Sequence, residues 1–312
     1  MTALDAGTPP GIAADIAPGA APNSPGVETP SGKGIGDENF PVGSWLIRRD
    51  LRVHVHAFYR FARNADDIAD SPVLAADDKL RRLDRMAAIL DGAPDGAPGG
   101  EPGGESPAAA AMRASLAATG VTAQHCHDVL HAFRQDAVKP RYRDWDDLME
   151  YCRYSAAPVG RQLLDLHGES RAAWPASDAL CAALQVLNHL QDCAADYRDL
   201  DRVYLPLADL GVAGSRVEAL AAPAASPGLR RALDMMLDRT EILIATARGL
   251  PPGVAARGLR WESAVIVGLA ARLACRLRHA DPLATRVKLA RSDFAAAFLT
   301  GILARPRAQN RR

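Results

Sequence analysis

Two acidic clusters in otherwise apolar helical stretches constrain this chain more than any other feature. The first is Asp66-Asp67-Ile68-Ala69-Asp70, and the second is Asp192-Cys193-Ala194-Ala195-Asp196. In each, two carboxylates four residues apart share one helix face, with Cβ atoms roughly 5 to 6 Å apart, where like charges destabilise the helix. A cation between them removes this repulsion. Mg²⁺ binds one or two carboxylates together with substrate phosphates, so the clusters predict a site for a diphosphate.

The composition argues against several classes of protein. Lys plus Arg and Asp plus Glu both number 37, so the net charge is zero and nothing indicates nucleic acid as a partner. The five cysteines show no paired spacing, which indicates reduced thiols of a cytosolic protein. No apolar run reaches the roughly 18 to 20 residues that span a bilayer, and the N-terminus lacks a secretory signal pattern. We expect a cytoplasmic protein, and peripheral contact with the inner membrane stays open.

The apolar spacing predicts an all-α chain. Segments rich in Ala and Leu dominate, whereas hairpin dipeptides and β-branched runs typical of strands are scarce. Residues 1–36 and about 91–107 bury too little apolar surface to offset their conformational entropy, so we expect a disordered tail and a flexible loop there. Residues 37–305 are predicted to form one domain of helices around a central cavity, before a basic tail at 306–312. Its helices include 50–70, 145–167, 177–198 and 215–221.

The predicted helix at 177–198 carries the strongest functional pattern. Gln185, Asn188, Asp192 and Asp196 follow one another at steps of three, four and four, so they form one narrow polar stripe. An ordinary amphipathic helix has a broader polar face with charges of both signs. A stripe of amides and acids alone predicts a wall of metal and ligand contacts inside a cavity.

Arg63 extends the first acidic cluster. It lies three residues before Asp66 and seven before Asp70, so it shares their helix face, and arginine binds phosphate as well as carboxylate. A single Asp-x-x-x-Asp is usually a solvated helix face, but two such clusters in apolar helices are hard to explain in that way. The histidine pairs at 54/56 and 125/127 have the wrong spacing for zinc, and nucleotide-binding and nucleophile-elbow motifs are absent.

Three motifs in order resemble those of squalene and phytoene synthases. They run from Phe58 to Asp70, from Tyr151 to Gly160 and from Gln185 to Pro206, and the resemblance covers about residues 37–300. That family implies the all-α isoprenoid synthase fold, Mg²⁺ and prenyl diphosphate substrates. Carried over residue by residue, it implies metal ligands at Asp66, Asp70, Asp192 and Asp196, a diphosphate contact at Arg63, and reaction-cavity residues at Tyr151, Gln185 and Asn188.

Two departures from the family pattern indicate one branch of it. Where condensing members carry a serine-rich segment, this chain has Glu38-Asn39-Phe40-Pro41-Val42, in which Asn39 is our further candidate for a diphosphate contact. Gln191 precedes Asp192 where many relatives place an arginine. This pattern resembles the bacterial hydroxysqualene synthases of hopanoid biosynthesis, which act on presqualene diphosphate. The resemblance implies Mg²⁺-dependent ionisation, rearrangement and water capture, with other squalene-pathway enzymes as candidate partners.

Two alternatives stay open on the sequence. A head-to-head synthase of the presqualene diphosphate or phytoene type would condense two prenyl diphosphates with the same carboxylates. A non-catalytic helical scaffold is the second, although a scaffold has no reason to retain clustered like charges. Within the hydrating reaction, the spacing does not decide whether Gln185 or Asn188 holds the water.

Overall fold

The computed structural model describes residues 47–94 and 105–303. Within these residues every regular element is a helix, and the single extended contact is an isolated bridge between Arg141 and Val203. The predicted all-α class is therefore confirmed. The predicted tails at 1–36 and 306–312, Asn39, and the central part of the predicted loop at 91–107 lie outside the described residues.

The helices follow one another with short connections. In chain order they are α1 Arg52–Asp70, α2 Ala76–Leu90, α3 Pro107–Thr119, α4 Gln124–Asp136, α5 Trp145–Ser155, α6 Ala157–Leu166, α7 Trp174–Leu200, α8 Leu207–Val212, α9 Pro227–Ala247, α10 Leu250–Gly253, α11 Arg257–His279 and α12 Arg291–Leu303. None of the described helices is both long and apolar enough to cross a membrane.

Some predicted boundaries were wrong for identifiable reasons. The helix expected at 145–167 divides into α5 and α6, because Pro158 has no N–H to donate to the carbonyl four residues earlier and its ring crowds that turn. The helix expected at 215–221 is a 3₁₀ turn at Val217–Ala221. The six residues of α8 are too few to give a periodic pattern, and this helix was not predicted.

Two groups of buried apolar side chains hold the helices together. The first lies among α1 to α4 and includes Phe61, Ile68 and Leu130. The second surrounds α7 and includes Leu187 and Leu190. α7 is buried on several faces because α6, α9 and α11 all pack against it. A helix enclosed in this way holds its polar stripe in a fixed orientation.

Gly160 sets the distance between α6 and α7. A Cβ atom at this position would overlap the hydroxyl of Ser177 and lie 2.8 Å from the sulfur of Cys181, both on α7. Any larger side chain would push the two helices apart. The close packing of α6 on α7 therefore accounts for this glycine.

Candidate active site

A cavity of about 570 Å³ collects carboxylates of both acidic clusters. Asp70 lines it from the end of α1, and Asp192 and Asp196 line it from α7. The segment at 282–286, between α11 and α12, supplies another part of the wall. We call this space the acid cavity. The two acidic helices thus meet at one cavity, while the metal-ligand roles of these residues stay predictions.

Arg63 forms ion pairs with the carboxylates that follow it on α1. Its Nη1 lies 3.0 Å from Asp66 Oδ2, and its Nη2 lies 3.1 Å from Asp67 Oδ1. Partial burial and the carboxylate of Asp70 raise the pKa of Asp66 well above its ordinary value, although Arg63 opposes the shift and 32% of the Asp66 side chain stays accessible. Burial and the nearby carboxylate therefore outweigh Arg63 and favour the protonated form of Asp66.

Arg202 joins the end of α1 to the end of α4. Its buried guanidinium donates from Nη1 to Asp70 Oδ1 at 2.5 Å, from Nη2 to the Ala69 carbonyl at 3.0 Å and from Nε to the Asp136 carbonyl at 3.1 Å. Carbonyl groups in the last turn of a helix lack partners within the helix, so this side chain satisfies them and balances the charge of Asp70. Arg202 was not predicted to belong to the site.

Asp136 accepts hydrogen bonds from two tyrosines. Tyr151 donates to Oδ2 at 2.8 Å, and Tyr204 donates to Oδ1 at 3.0 Å. Burial raises the pKa of Asp136 to about 6, although Arg202 and the two hydroxyls act in the opposite direction. Burial also raises the pKa of both tyrosines, so their hydroxyls are neutral donors. Tyr151, predicted to face the substrate, has its hydroxyl hydrogen-bonded to Asp136.

The polar stripe of α7 contains a further residue, His189, that was not predicted. Its Nε2 lies 3.0 Å from the amide nitrogen of Gln185, and its ring stacks on Tyr204 with centroids 3.4 Å apart. Its Nδ1 lies 3.9 Å from Asp196 Oδ2. Spacing alone indicates its place, because His189 follows Gln185 by four residues and precedes Asp196 by seven. Gln185 and Asn188 are both half-buried on the same stripe.

Two arginines reach the acid cavity from positions that the sequence patterns did not reveal. Arg198 on α7 and Arg286 in the 282–286 segment are both exposed, and both line the cavity. Gln191 donates from Nε2 to the Val287 carbonyl at 2.6 Å, which fastens the chain after that segment against α7. The positive charge that an arginine at position 191 would bring is thus available from two other side chains.

A second cavity of about 340 Å³ lies between α1, α6, α7 and α11, and we call it the apolar cavity. Phe58 and Tyr59 of α1 and Leu184 of α7 are part of its wall, and aliphatic side chains supply most of the rest. A few buried polar side chains also line it, namely Gln162, Ser177, Glu262 and Ser263. Its volume falls in the range of about 300 to 1,000 Å³ that is usual for ligand sites.

The two helices α1 and α7 pass through both cavities in the same order. The apolar cavity is lined as far as Ala62 on α1 and Leu184 on α7, and the acid cavity begins at Asp70 and Gln191. From Ala62 to Asp70 the helix advances about 12 Å at its usual rise of 1.5 Å per residue. An elongated molecule with an anionic head and a hydrocarbon body therefore fits along this path.

The donor set of the acid cavity fits a hard cation that is shared with a ligand. Within residues 47–94 and 105–303, no three carboxylate, imidazole or thiol groups converge closely enough to hold a metal ion alone. Mg²⁺ is usually held by one or two carboxylates and by substrate phosphates, and a complete cage of protein ligands is uncommon. Carboxylate groups that line the acid cavity from α1 and from α7 suit that mode of binding.

Comparison with known proteins gives a consistent result. The family model for squalene/phytoene synthase matches residues 35–293. A hydroxysqualene synthase of Rhodopseudomonas palustris is 46% identical over 270 residues, which cover 86% of this chain and 89% of that protein. A squalene synthase structure from Alicyclobacillus acidocaldarius aligns with a TM-score of 0.59 and 32% identity, covering 74% of this chain and 86% of that one. A dehydrosqualene synthase structure shares the fold at a TM-score of 0.72 and 21% identity, covering 86% and 93% of the two chains.

Proposed function

Because this chain belongs to the squalene/phytoene synthase family, we propose that it is a hydroxysqualene synthase that converts presqualene diphosphate into hydroxysqualene and diphosphate. The observation that carries this proposal is the pair of cavities along α1 and α7, acidic at one end and apolar at the other. A prenyl diphosphate has the same polarity along its length. The identity to hydroxysqualene synthases over most of the chain selects this reaction within the family.

The acid cavity holds the diphosphate in this proposal. Arg198 and Arg286 contact its oxygens, because arginine binds phosphate through parallel N–H groups. Asp70, Asp192 and Asp196 in this cavity, together with Asp66 one turn before Asp70, would hold Mg²⁺, which would supply Lewis-acid stabilisation to the departing diphosphate. Arg63 and Asn39 remain candidates for further diphosphate contacts.

The apolar cavity holds the hydrocarbon and keeps water away from it. Phe58 and Tyr59 line this cavity, and aromatic faces stabilise a nearby cation. When the carbon–oxygen bond of presqualene diphosphate breaks, its electron pair leaves with the diphosphate and a carbocation remains. After rearrangement, the oxygen of one water molecule bonds to the cationic carbon, and a proton of that water passes to the released diphosphate. The products are an alcohol and diphosphate, and no hydride donor is needed.

The direct test is an assay of products. Purified protein is incubated with presqualene diphosphate and Mg²⁺ in the absence of nicotinamide cofactor, and lipids are identified by mass spectrometry. We expect hydroxysqualene and one equivalent of diphosphate. Consumption of farnesyl diphosphate alone would show a condensing synthase instead, and no turnover of either substrate would support a scaffold. We propose the cytoplasm as the location of this reaction, with the inner membrane surface as the source of substrate.

The carboxylates are tested separately from the substrate. In Asp66→Asn and Asp192→Asn we expect helical circular dichroism like that of the original protein and loss of Mg²⁺-dependent turnover, because an amide is a weaker ligand for Mg²⁺ than a carboxylate. Turnover at the original rate in either variant would refute its role as a ligand.

A further inference from the structure

Gln185 and His189 form a pair on α7 whose geometry has a chemical consequence. His189 is buried, with 8% of its surface accessible, and its Nε2 lies 3.0 Å from Nε2 of Gln185. The opposite ring nitrogen, Nδ1, lies 3.9 Å from Asp196 Oδ2. One edge of the imidazole thus faces an amide, and the other faces a carboxylate.

These neighbours fix which nitrogen of a neutral imidazole carries the proton. The –NH₂ group of Gln185 only donates hydrogen bonds, so Nε2 of His189, 3.0 Å away, is the acceptor. Nδ1 of the neutral ring then bears the hydrogen, and the carboxylate of Asp196 at 3.9 Å attracts that N–H group without a direct hydrogen bond. The carbonyl oxygen of Gln185 is consequently directed away from His189. Gln185 is half-buried, and this oxygen has no other hydrogen-bond partner among the described residues.

The imidazole is itself held in place. Its ring lies on Tyr204 at an angle of 12° between the planes, and the hydroxyl of Tyr204 donates to Asp136. Asp136 also accepts from Tyr151. The Tyr204 ring on which His189 stacks therefore belongs to a buried group of three hydrogen-bonded residues from separate segments of the chain. A long glutamine side chain loses much rotamer freedom when its amide bonds to such a fixed partner. The acceptor oxygen of Gln185 is therefore presented in one direction.

We propose that His189 is a positioning residue, which orients Gln185 so that the glutamine carbonyl oxygen binds the water captured by the carbocation. This inference rests on the proposed function and deepens it, because it selects Gln185 over Asn188. A water that donates one hydrogen to Gln185 keeps a lone pair for the cationic carbon. No proton transfer is assigned to His189. Without a bound water the cation loses a proton to the diphosphate instead, and the product is a polyene.

The decisive variant is His189→Phe, which keeps an aromatic ring against Tyr204 and removes the acceptor for the Gln185 amide. We expect consumption of presqualene diphosphate to persist, while the ratio of alcohol to polyene falls about tenfold, as loss of one hydrogen bond permits. Gln185→Leu should shift the ratio in the same direction, and the double variant should shift it no further. An unchanged ratio in both single variants would overturn the inference.

A matched control exists on α4. His131 and Gln135 form the same kind of pair at 3.0 Å four residues apart, but His131 is exposed on α4, whereas His189 is buried on the polar stripe of α7. His131→Phe should leave the product ratio unchanged. If the original protein makes no alcohol from presqualene diphosphate, the proposed function fails and the inference fails with it. If the original protein makes the alcohol but the ratio of alcohol to polyene stays the same in His189→Phe and Gln185→Leu, only the inference about His189 fails.

The proton position can be measured without substrate or metal. In ¹⁵N-histidine nuclear magnetic resonance spectra of the protein, assigned by comparison with His189→Phe, we expect the signature of a ring protonated at Nδ1 with Nε2 as an acceptor. A ring protonated at Nε2 would reverse the Gln185 amide, turn its –NH₂ group outward and contradict the proposed water site.

Discussion

The acid cavity and the apolar cavity share helices α1 and α7, but they differ in whether their buried polar groups have hydrogen-bond partners. In and behind the acid cavity, buried charged groups have partners within the protein: Arg202 bonds Asp70, and Asp136 accepts from two tyrosines. In the apolar cavity, Gln162 is 2% accessible, and neither its amide nitrogen nor its amide oxygen has a partner among the described residues.

This difference suits the proposed function, in which one pair of helices contacts both a charged head and a hydrocarbon. Charges are grouped where neighbouring groups or bound ions can balance them, because an isolated ion in an apolar space costs many kcal/mol. A neutral amide without a partner costs less, about 1 to 3 kcal/mol, and the apolar end contains one in Gln162. Variants at the two ends should therefore change different properties, reaction rate and global stability at the acid end and stability alone at the apolar end.

The largest effect is expected at the acid end, from Asp196→Asn. We expect kcat to fall by about 10³ or more, equivalent to about 4 kcal/mol, because the change removes a proposed ligand of the cation that would neutralise the departing diphosphate. Steady-state kinetics with presqualene diphosphate measures this. Asp201→Asn is the control, since Asp201 is exposed and its φ of 50° is one that asparagine also adopts. A rate for Asp196→Asn within tenfold of the original would remove this residue from the site.

Arg202→Met tests whether the partnered network behind the acid cavity also supports the fold. This change leaves Asp70 and two carbonyl groups without their donor, so we expect the free energy of unfolding to fall by about 3 to 5 kcal/mol in urea titrations. Arg141→Met removes an exposed ion pair with Asp201 and should cost less than about 1 kcal/mol. If the free energy of unfolding falls equally in the two variants, the buried contacts of Arg202 stabilise the fold no more than the exposed ion pair of Arg141 does.

The pH dependence of the free energy of unfolding should reveal the ionisation of the Asp136 carboxyl. Its pKa is about 6 in the folded protein and near 3.8 when unfolded, so the folded state binds the proton more tightly. The protonated carboxyl favours folding, and this contribution is lost as pH rises from about 4 to about 6. By linkage the loss is roughly 2 to 3 kcal/mol above pH 6. In Asp136→Asn, the free energy of unfolding should not show this decrease between pH 4 and pH 7. Parallel pH profiles of the two proteins would contradict the assignment.

The sequence predicted the parts of the site that repeat along a helix. Asp70, Asp192 and Asp196 were selected because helical spacing places like charges on one face, and the fold brings these three to a single cavity. The same reasoning gave the all-α class, because the apolar period of long helices survives without knowledge of their packing.

The residues that the sequence did not reveal depend on contacts between distant segments. Arg202 bonds Asp70 across 132 positions of sequence, and Asp136 meets Tyr204 across 68. No local period encodes such contacts. His189 is different, since it occupies the predicted stripe, although the spacing that indicates a zinc pair does not select it. Gln162 carried no signal either, because only the packed structure shows that its amide lacks a partner.

The smallest effect is expected at the apolar end, from Gln162→Met, and it should have the opposite sign. Methionine has a similar length and helix propensity, so the change removes the buried unpaired amide with little alteration of shape. We expect unfolding to require about 1 to 2 kcal/mol more, measured in urea, with kcat unchanged. Gln124→Met, on the exposed start of α4, should change stability by less than about 0.5 kcal/mol. A loss of stability in Gln162→Met would mean that bound water satisfies this amide, and that the apolar cavity is hydrated before the hydrocarbon enters.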